Sequence, residues 1–209
     1  DGVSVNGPFG QNSVTQFAFD VSNAQEMQVL VGGGLGESET GGPIANIIPK
    51  SGGNALTGNF FMSGTTSKFQ GNNVTDTLRG QGIANPPTVR KNWDGSGAVG
   101  GPIMRDRVWY FVNARTQGST RGIASVYYNQ NTGDATKWLY LPDPDRPAFS
   151  DRTWDNISGR ITWQATPRNK IGFYEDYQKN CTGSSYEKGG KQCRDRGDDW
   201  IELNGGFNN

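Results

Sequence analysis

Ile157-Ser158-Gly159-Arg160-Ile161-Thr162-Trp163-Gln164-Ala165 alternates residue by residue between two chemistries. Successive side chains of an extended strand point to opposite faces. Ile157, Gly159, Ile161, Trp163 and Ala165 therefore share one face, and Ser158, Arg160, Thr162 and Gln164 share the other. The same period recurs from Leu56 to Gly64, where Leu56, Phe60 and Met62 oppose Thr57, Asn59, Phe61 and Ser63. From Val108 to Gln117, Val108, Tyr110, Val112 and Ala114 oppose Trp109, Phe111, Asn113, Arg115 and Gln117. Lys170 to Gln178 sets Ile171, Phe173 and Tyr177 on one side, interrupted by Glu175. Trp93 to Ile103 is a fifth such stretch, diluted by glycines and Pro102. Helical periodicity is almost absent.

The spacing places strands at 55–65, 93–103, 107–117, 155–165 and 169–179. The connections alternate in length. Residues 66–92 and 118–154 are long, polar and rich in Gly, Asn and Pro, whereas Met104-Arg105-Asp106 and Thr166-Pro167-Arg168 are tight turns. Strands that cross a bilayer at a tilt need about 9–11 residues. Outer-membrane barrels join such strands by short turns on one side and long loops on the other. The alternative is a soluble antiparallel sandwich, which also alternates because one face packs on a core. Long structureless connections fit a compact sandwich poorly. The pattern predicts an all-β fold and favours the strands of a transmembrane antiparallel β-barrel over the sandwich, which stays open as the alternative, with a small mixed region over 1–53 and about five strands with their loops over 54–209.

Composition narrows the function classes. The chain has 209 residues, with 20 Lys or Arg against 20 Asp or Glu, so it lacks the basic surplus of a nucleic-acid binder. Glycine (31) and aromatic residues (6 Trp, 7 Tyr, 10 Phe) suit strands and turns better than helices. There is no histidine, which excludes a Ser-His-Asp triad, a Cys-His pair and His-containing zinc sites. The longest apolar runs, such as Val108-Trp109-Tyr110-Phe111-Val112, are far too short for a membrane-spanning helix. Cys181 and Cys193 cannot complete a structural zinc site by themselves, and a local disulfide formed in an oxidising compartment is expected instead of free thiols.

In residues 1–53, Val14 to Val21 and Gln25 to Val31 each read as a short strand. Gly32-Gly33-Gly34 and Gly41-Gly42 punctuate the stretch after them, and Ala45-Asn46-Ile47-Ile48 reads as a short buried strand closed by Pro49-Lys50-Ser51-Gly52-Gly53.

These residues resemble a known family. Gln25 to Gly34, and then Thr40-Gly41-Gly42-Pro43-Ile44-Ala45-Asn46-Ile47-Ile48-Pro49-Lys50-Ser51-Gly52-Gly53-Asn54, are similar to the end of the plug domain of TonB-dependent outer-membrane receptors, in their Oar-like branch. Gly58-Asn59-Phe60-Phe61 resembles the first barrel strand. Trp93-Asp94 through Gly100-Gly101-Pro102-Ile103, then Arg105-Asp106-Arg107-Val108-Trp109-Tyr110-Phe111, resembles the second strand, periplasmic turn and third strand. Ser158 to Gln164 and the segment from Cys181 to Trp200 continue the likeness. Pro49 departs from the family, which usually has a β-former there, so the plug strand is expected to end early.

The resemblance implies a bacterial outer-membrane importer of a scarce solute, with no enzymatic activity and no cofactor. Its implied partners are outer-membrane lipids, the remaining strands of the same longer protein, and the inner-membrane TonB complex, reached through an N-terminal segment upstream. An open sheet in lipid leaves unpaired backbone groups costing several kcal/mol each, so the barrel that the resemblance implies is partial here, and these residues are expected to be part of a longer chain. Ile157, Ile161, Trp163, Tyr110 and Phe60 are implied to face lipid, with Trp163 and Tyr110 near the short-turn end, where an aromatic girdle is expected. Ser158, Arg160, Thr162, Gln164, Asn59, Asn113 and Arg115 are implied to face the lumen. The alternatives are a secreted, non-enzymatic β-domain that binds carbohydrate or another surface, and a surface structural protein that pairs through its sheet edges.

Other constellations carry less. Gly32-Gly33-Gly34-Leu35-Gly36 lacks the Gly-Lys-Ser/Thr of a phosphate loop. Asp143 and Asp145, and Asp195, Asp198 and Asp199, do not match the spacing of an EF-hand. Glu37 and Glu39 sit in a Gly loop with nothing to fix their separation as an acid/base pair. Trp138, Tyr140 and Tyr186 in long polar segments are candidates for stacking on a ligand, with loop anchoring as the plainer role.

Overall fold

The computed structural model describes residues 19–31, 44–81 and 88–193. A 3-10 turn (Val21–Asn23) leads into β1 (Ala24–Leu30), which pairs antiparallel with β2 (Ile44–Pro49) in a two-stranded sheet with Met27 opposite Ile47. β3 (Thr57–Thr66), β4 (Val89–Met104), β5 (Val108–Asn129), β6 (Pro142–Thr166) and β7 (Asn169–Tyr186) form a second sheet in sequential order. Among the described residues the fold is all-β and mostly antiparallel, with one short α-helix, α1 (Asp76–Gly80), capped by the Thr75 hydroxyl accepting from the Leu78 amide. The second sheet is not closed: β3 and β7 are its edges among the described residues.

All five expected strands form, but β5 and β6 run much further than the alternation suggested. Residues 118–129 and 142–154, expected as loop, are strand, leaving 130–141 as the connection. That connection is tied locally. The Asn129 carboxamide oxygen accepts the amides of Asn131 (3.1 Å) and Leu141 (3.0 Å), and the Asp134 carboxylate accepts the amide (3.0 Å) and hydroxyl (2.6 Å) of Thr136. Both short turns form close to where they were expected. Arg107 N–H donates to the Met104 carbonyl at 3.1 Å, and Asp106 takes the left-handed conformation (φ 62°) that Asp tolerates better than most residues. At the other turn the Thr166 hydroxyl accepts the amides of Arg168 (3.3 Å) and Asn169 (3.1 Å).

The N-terminal region differs in detail from expectation. Val21 belongs to the 3-10 turn and not to a strand, while residues 14–18 and 32–43 lie outside the described residues. β2 runs through Pro49, one residue beyond the strand read over Ala45–Ile48, and it is exposed or half-buried except at Pro49, which is buried.

The chain divides into two compact units. Among the described residues, the first holds 19–31, 44–60, 96–115 and 156–178; the second holds 61–81, 88–95, 116–155 and 179–193. Among the described residues of the first unit, the buried side chains are mostly polar: Asp20, Asn23, Ser96, Asn113, Asn156, Ser158 and Thr162, beside the apolar Pro49, Ala98 and Phe111. The second unit buries Ala148, Phe149, Trp154, Cys181 and Cys193 beside Asp151 and Thr153.

Candidate functional site

In the first unit the segment 20–23 is seated on the polar face of β5, β6 and β7. Asp20 caps its own 3-10 turn by accepting the Ser22 amide at 3.0 Å. Its carboxylate also accepts the Asn113 amide at 3.0 Å and the Arg115 guanidinium at 2.7 Å. Asn23 donates to the Ser158 hydroxyl at 2.8 Å and to the Tyr174 hydroxyl at 3.3 Å. Tyr174 donates in turn to Asp176 (2.9 Å), whose carboxylate also accepts from Asn156 (2.8 Å) and Gln178 (3.0 Å). Lys50, just after β2, ties in through its ammonium to the Ser22 carbonyl (2.8 Å) and through its amide to the Asn23 carbonyl (2.7 Å). Burial pushes the Asp20 carboxyl up, but hydrogen bonds from Asn113, Ser22 and Arg115 outweigh it and hold the group below its usual 3.8.

The opposite faces of these strands carry the reverse chemistry. On β6, Ile157 is 54% exposed while its neighbour Ser158 is 3% exposed. Ile161 and Trp163 are exposed and Thr162 is buried. On β7, Ile171, Phe173 and Tyr177 are exposed, while Tyr174 and Asp176 are half-buried in the hydrogen-bond network. Val112 on β5 and Val99 and Ile103 on β4 are exposed as well. Soluble sheets bury the apolar face and expose the polar one; these strands do the opposite.

The residues expected on the polar face divide. Asn113, Ser158 and Thr162 are buried, Arg115, Arg160 and Gln164 are half-buried, and Asn59, on edge strand β3, is exposed. Of those expected on the apolar face, Ile157, Ile161, Trp163 and Phe60 are exposed and Tyr110 is half-buried. Asp20 and Asn23 were missed. The signal that could have found them is the run Asp20-Val21-Ser22-Asn23, whose short polar side chains favour capped turns.

In the second unit Cys181 and Cys193 form a disulfide. Cys181 lies within β7 and not in the loop after it. The Cys193 amide donates to the Asp151 carboxylate on β6. A cleft of about 470 Å³ opens beside it, with Arg90, Lys91, Trp93, Thr120, Phe149 and Glu187 among its walls. The three aromatic ligand candidates do not line it. Tyr140 binds back to the Tyr127 main chain, donating to its carbonyl (3.0 Å) and accepting its amide (3.2 Å). Tyr186 packs edge-on against Tyr128 with ring centroids 5.4 Å apart, and Trp138 is exposed. Among the described residues, no group of three acidic, His or Cys side chains is placed to hold a metal ion.

This chain is 24% identical over 196 residues to a TonB-dependent transporter Oar of Myxococcus xanthus. The match covers 88% of the chain but only 18% of that transporter's length. No family model matches the chain, and no solved structure matches it.

Proposed function

We propose that the chain is the end of the plug domain and the first five barrel strands of a TonB-dependent outer-membrane transporter of the Oar-like branch, a non-enzymatic importer in the bacterial outer membrane. The observation that carries this is the inversion on β6, with Ile157 exposed beside buried Ser158. Hydrocarbon on one side and a hydrated, plugged lumen on the other accounts for it. The likeness to the Myxococcus transporter supports the same family.

The polar seam suits a plug that must leave. Each hydrogen bond between 20–23 and the strands contributes only about 0.5–1.5 kcal/mol net, because water replaces it once the surfaces part. A seam of interdigitated apolar side chains would resist separation much more strongly. Force applied upstream by the inner-membrane TonB complex would break the contacts of Asp20, Asn23 and Lys50 one after another, and lumen water would satisfy the groups left behind.

The test is lipid contact in the full-length protein. Reconstituted into vesicles of brominated phospholipid, it should lose part of its tryptophan emission, and Trp163→Phe should reduce that quenching. A full-length protein that stays soluble and monomeric without detergent would overturn the proposal.

A further inference from the structure

The geometry points to the cleft of the second unit as a binding site for a small carboxylate-bearing solute, with Lys91 as its principal contact. The cleft is built from three strands and a tied wall. Gly118 on β5 leaves room for Trp93: a Cβ there would lie 2.3 Å from the indole ring. The opposite wall, after β7, is fixed by the Cys181–Cys193 disulfide, by the Cys193 amide on Asp151, and by an ion pair between Glu187 and Arg90. About 470 Å³ is the size of a small-molecule site.

The charges in the cleft are unequally engaged. The Glu187 carboxylate is taken up by Arg90, and Asp151 accepts from the Cys193 amide. Lys188 lies 3.5 Å from Asp145. Lys91 rests its ammonium 4.5 Å from the centre of the Trp93 ring, and among the described residues no carboxylate pairs with it. An ammonium has three donors and no acceptor. Thr120 and Thr153 add hydroxyls and Gln192 an amide to the same walls. The cleft is thus rich in donors, with one cation held over a ring instead of neutralised. The lining sets Arg90, Lys91 and Lys188 against Asp151 and Glu187, with the buried Asp151 carboxylate turned to the Cys193 amide and the exposed Lys91 open to an anionic contact. A solute rich in acceptor oxygens and carrying negative charge supplies that contact, and a neutral solute does not.

The role of this site in uptake rests on the transporter proposal, but binding does not. Calorimetric titration of the detergent-solubilised full-length protein at low ionic strength therefore tests it separately, with malate as the probe and glucose and inorganic phosphate as comparisons. Saturable malate binding is expected, with no response to glucose. Lys91→Gln should weaken it by about tenfold or more, the loss of one charge-assisted contact. Glu187→Gln keeps a side-chain oxygen for Arg90 to hold the wall but removes a negative charge from the cleft, and should tighten binding. Opposite effects of the two variants would not arise from damage to the fold, and the second variant reads the site even where the first fails to fold. Absence of malate binding, equal response to glucose, binding of phosphate alone, or affinity unchanged in both variants would overturn the assignment. Lipid quenching through Trp163 would then still stand or fall by itself.

Discussion

Asn113 donates its side-chain amide to the carboxylate of Asp20 over 3.0 Å, across 93 positions of sequence, and both side chains are buried. The contact joins the segment before β1 to the polar face of β5 near that strand's start. Asp20→Ala would remove the acceptor shared by the Asn113 side chain, the Arg115 guanidinium and the Ser22 amide, at a cost of about 1.5–3 kcal/mol for lost bonds to a charged group. Hydrogen exchange in the full-length protein should show faster exchange at residues 20–23, with the ladder of β5 and β6 unchanged. Equal protection in variant and wild type would mean that the seam does not hold this segment.

The same carboxylate sets a pH dependence. Its folded pKa lies below its usual 3.8. A depressed folded pKa contributes stability that is fully present above the unfolded value and is lost as pH falls through the folded one. Protection of residues 20–23 should therefore be flat through neutral pH and decline as pH falls into the ordinary carboxylate range and on through the lower folded value. Asp20→Asn should remove that acid-dependent decline.

Much of this was legible in the sequence, and the boundary between what was and was not is physical. Alternation over Ile157–Ala165 reports facing directly, because a strand has a strict period of two. The turn at Asp106 and the turn after Thr166 announced themselves through residues suited to them. The distal halves of β5 and β6 did not. Gly118 and Gly122 resemble loop glycines, yet a Cβ on Gly118 would meet Trp93, and one on Gly122 would lie 2.7 Å from the Thr88 hydroxyl. They are glycines because neighbours approach closely, which no local pattern reveals. The pairing of Asp20 with Asn113 and Arg115 is equally non-local. The cleft around Lys91 and Trp93 draws on β4, β5, β6 and the segment after β7, and none of its parts is conspicuous alone.

Gly52 and Gly53 provide a matched pair. A Cβ on Gly52 would sit 2.1 Å from the Tyr110 carbonyl oxygen, whereas one on Gly53 meets nothing within 4 Å. Gly52→Ala must push the chain off the strands, at a cost of about 1–3 kcal/mol or more. Gly53→Ala should be nearly neutral. Nearby, the Asn54 side chain bridges the Asp106 amide (2.9 Å) and the Trp109 indole (2.7 Å). The displaced chain would strain that bridge as well. Thermal unfolding of the two variants in detergent should separate them clearly; equal transitions would refute the close approach.

Removing the disulfide should act on the second unit. Cys181 and Cys193 are 12 positions apart, and closing a loop of that size restricts the unfolded chain by about 3 kcal/mol. Cys181→Ser with Cys193→Ser should leave the β7–Asp151 wall more open to protease. Cleavage between 187 and 193 is the readout, and unchanged resistance would show that the Glu187–Arg90 pair suffices alone.

Charge placed on the exposed face of β6 distinguishes hydrocarbon from water. On the proposed transporter reading Ile157 lies deeper in the bilayer than Trp163, which is close to the Thr166 turn. An arginine costs about 2–4 kcal/mol at the midplane of a bilayer and about 0–1 near its interface. Ile157→Arg should therefore impair folding into vesicles much more than Trp163→Arg. In water the order would vanish, because both side chains are similarly exposed (54% and 49%) and an exposed arginine costs little at either position. Folding yield into phospholipid vesicles, compared between the two variants, reads the difference. Equal yields would place water on both sides of β6, and the inversion of Ile157 and Ser158 would then need another cause.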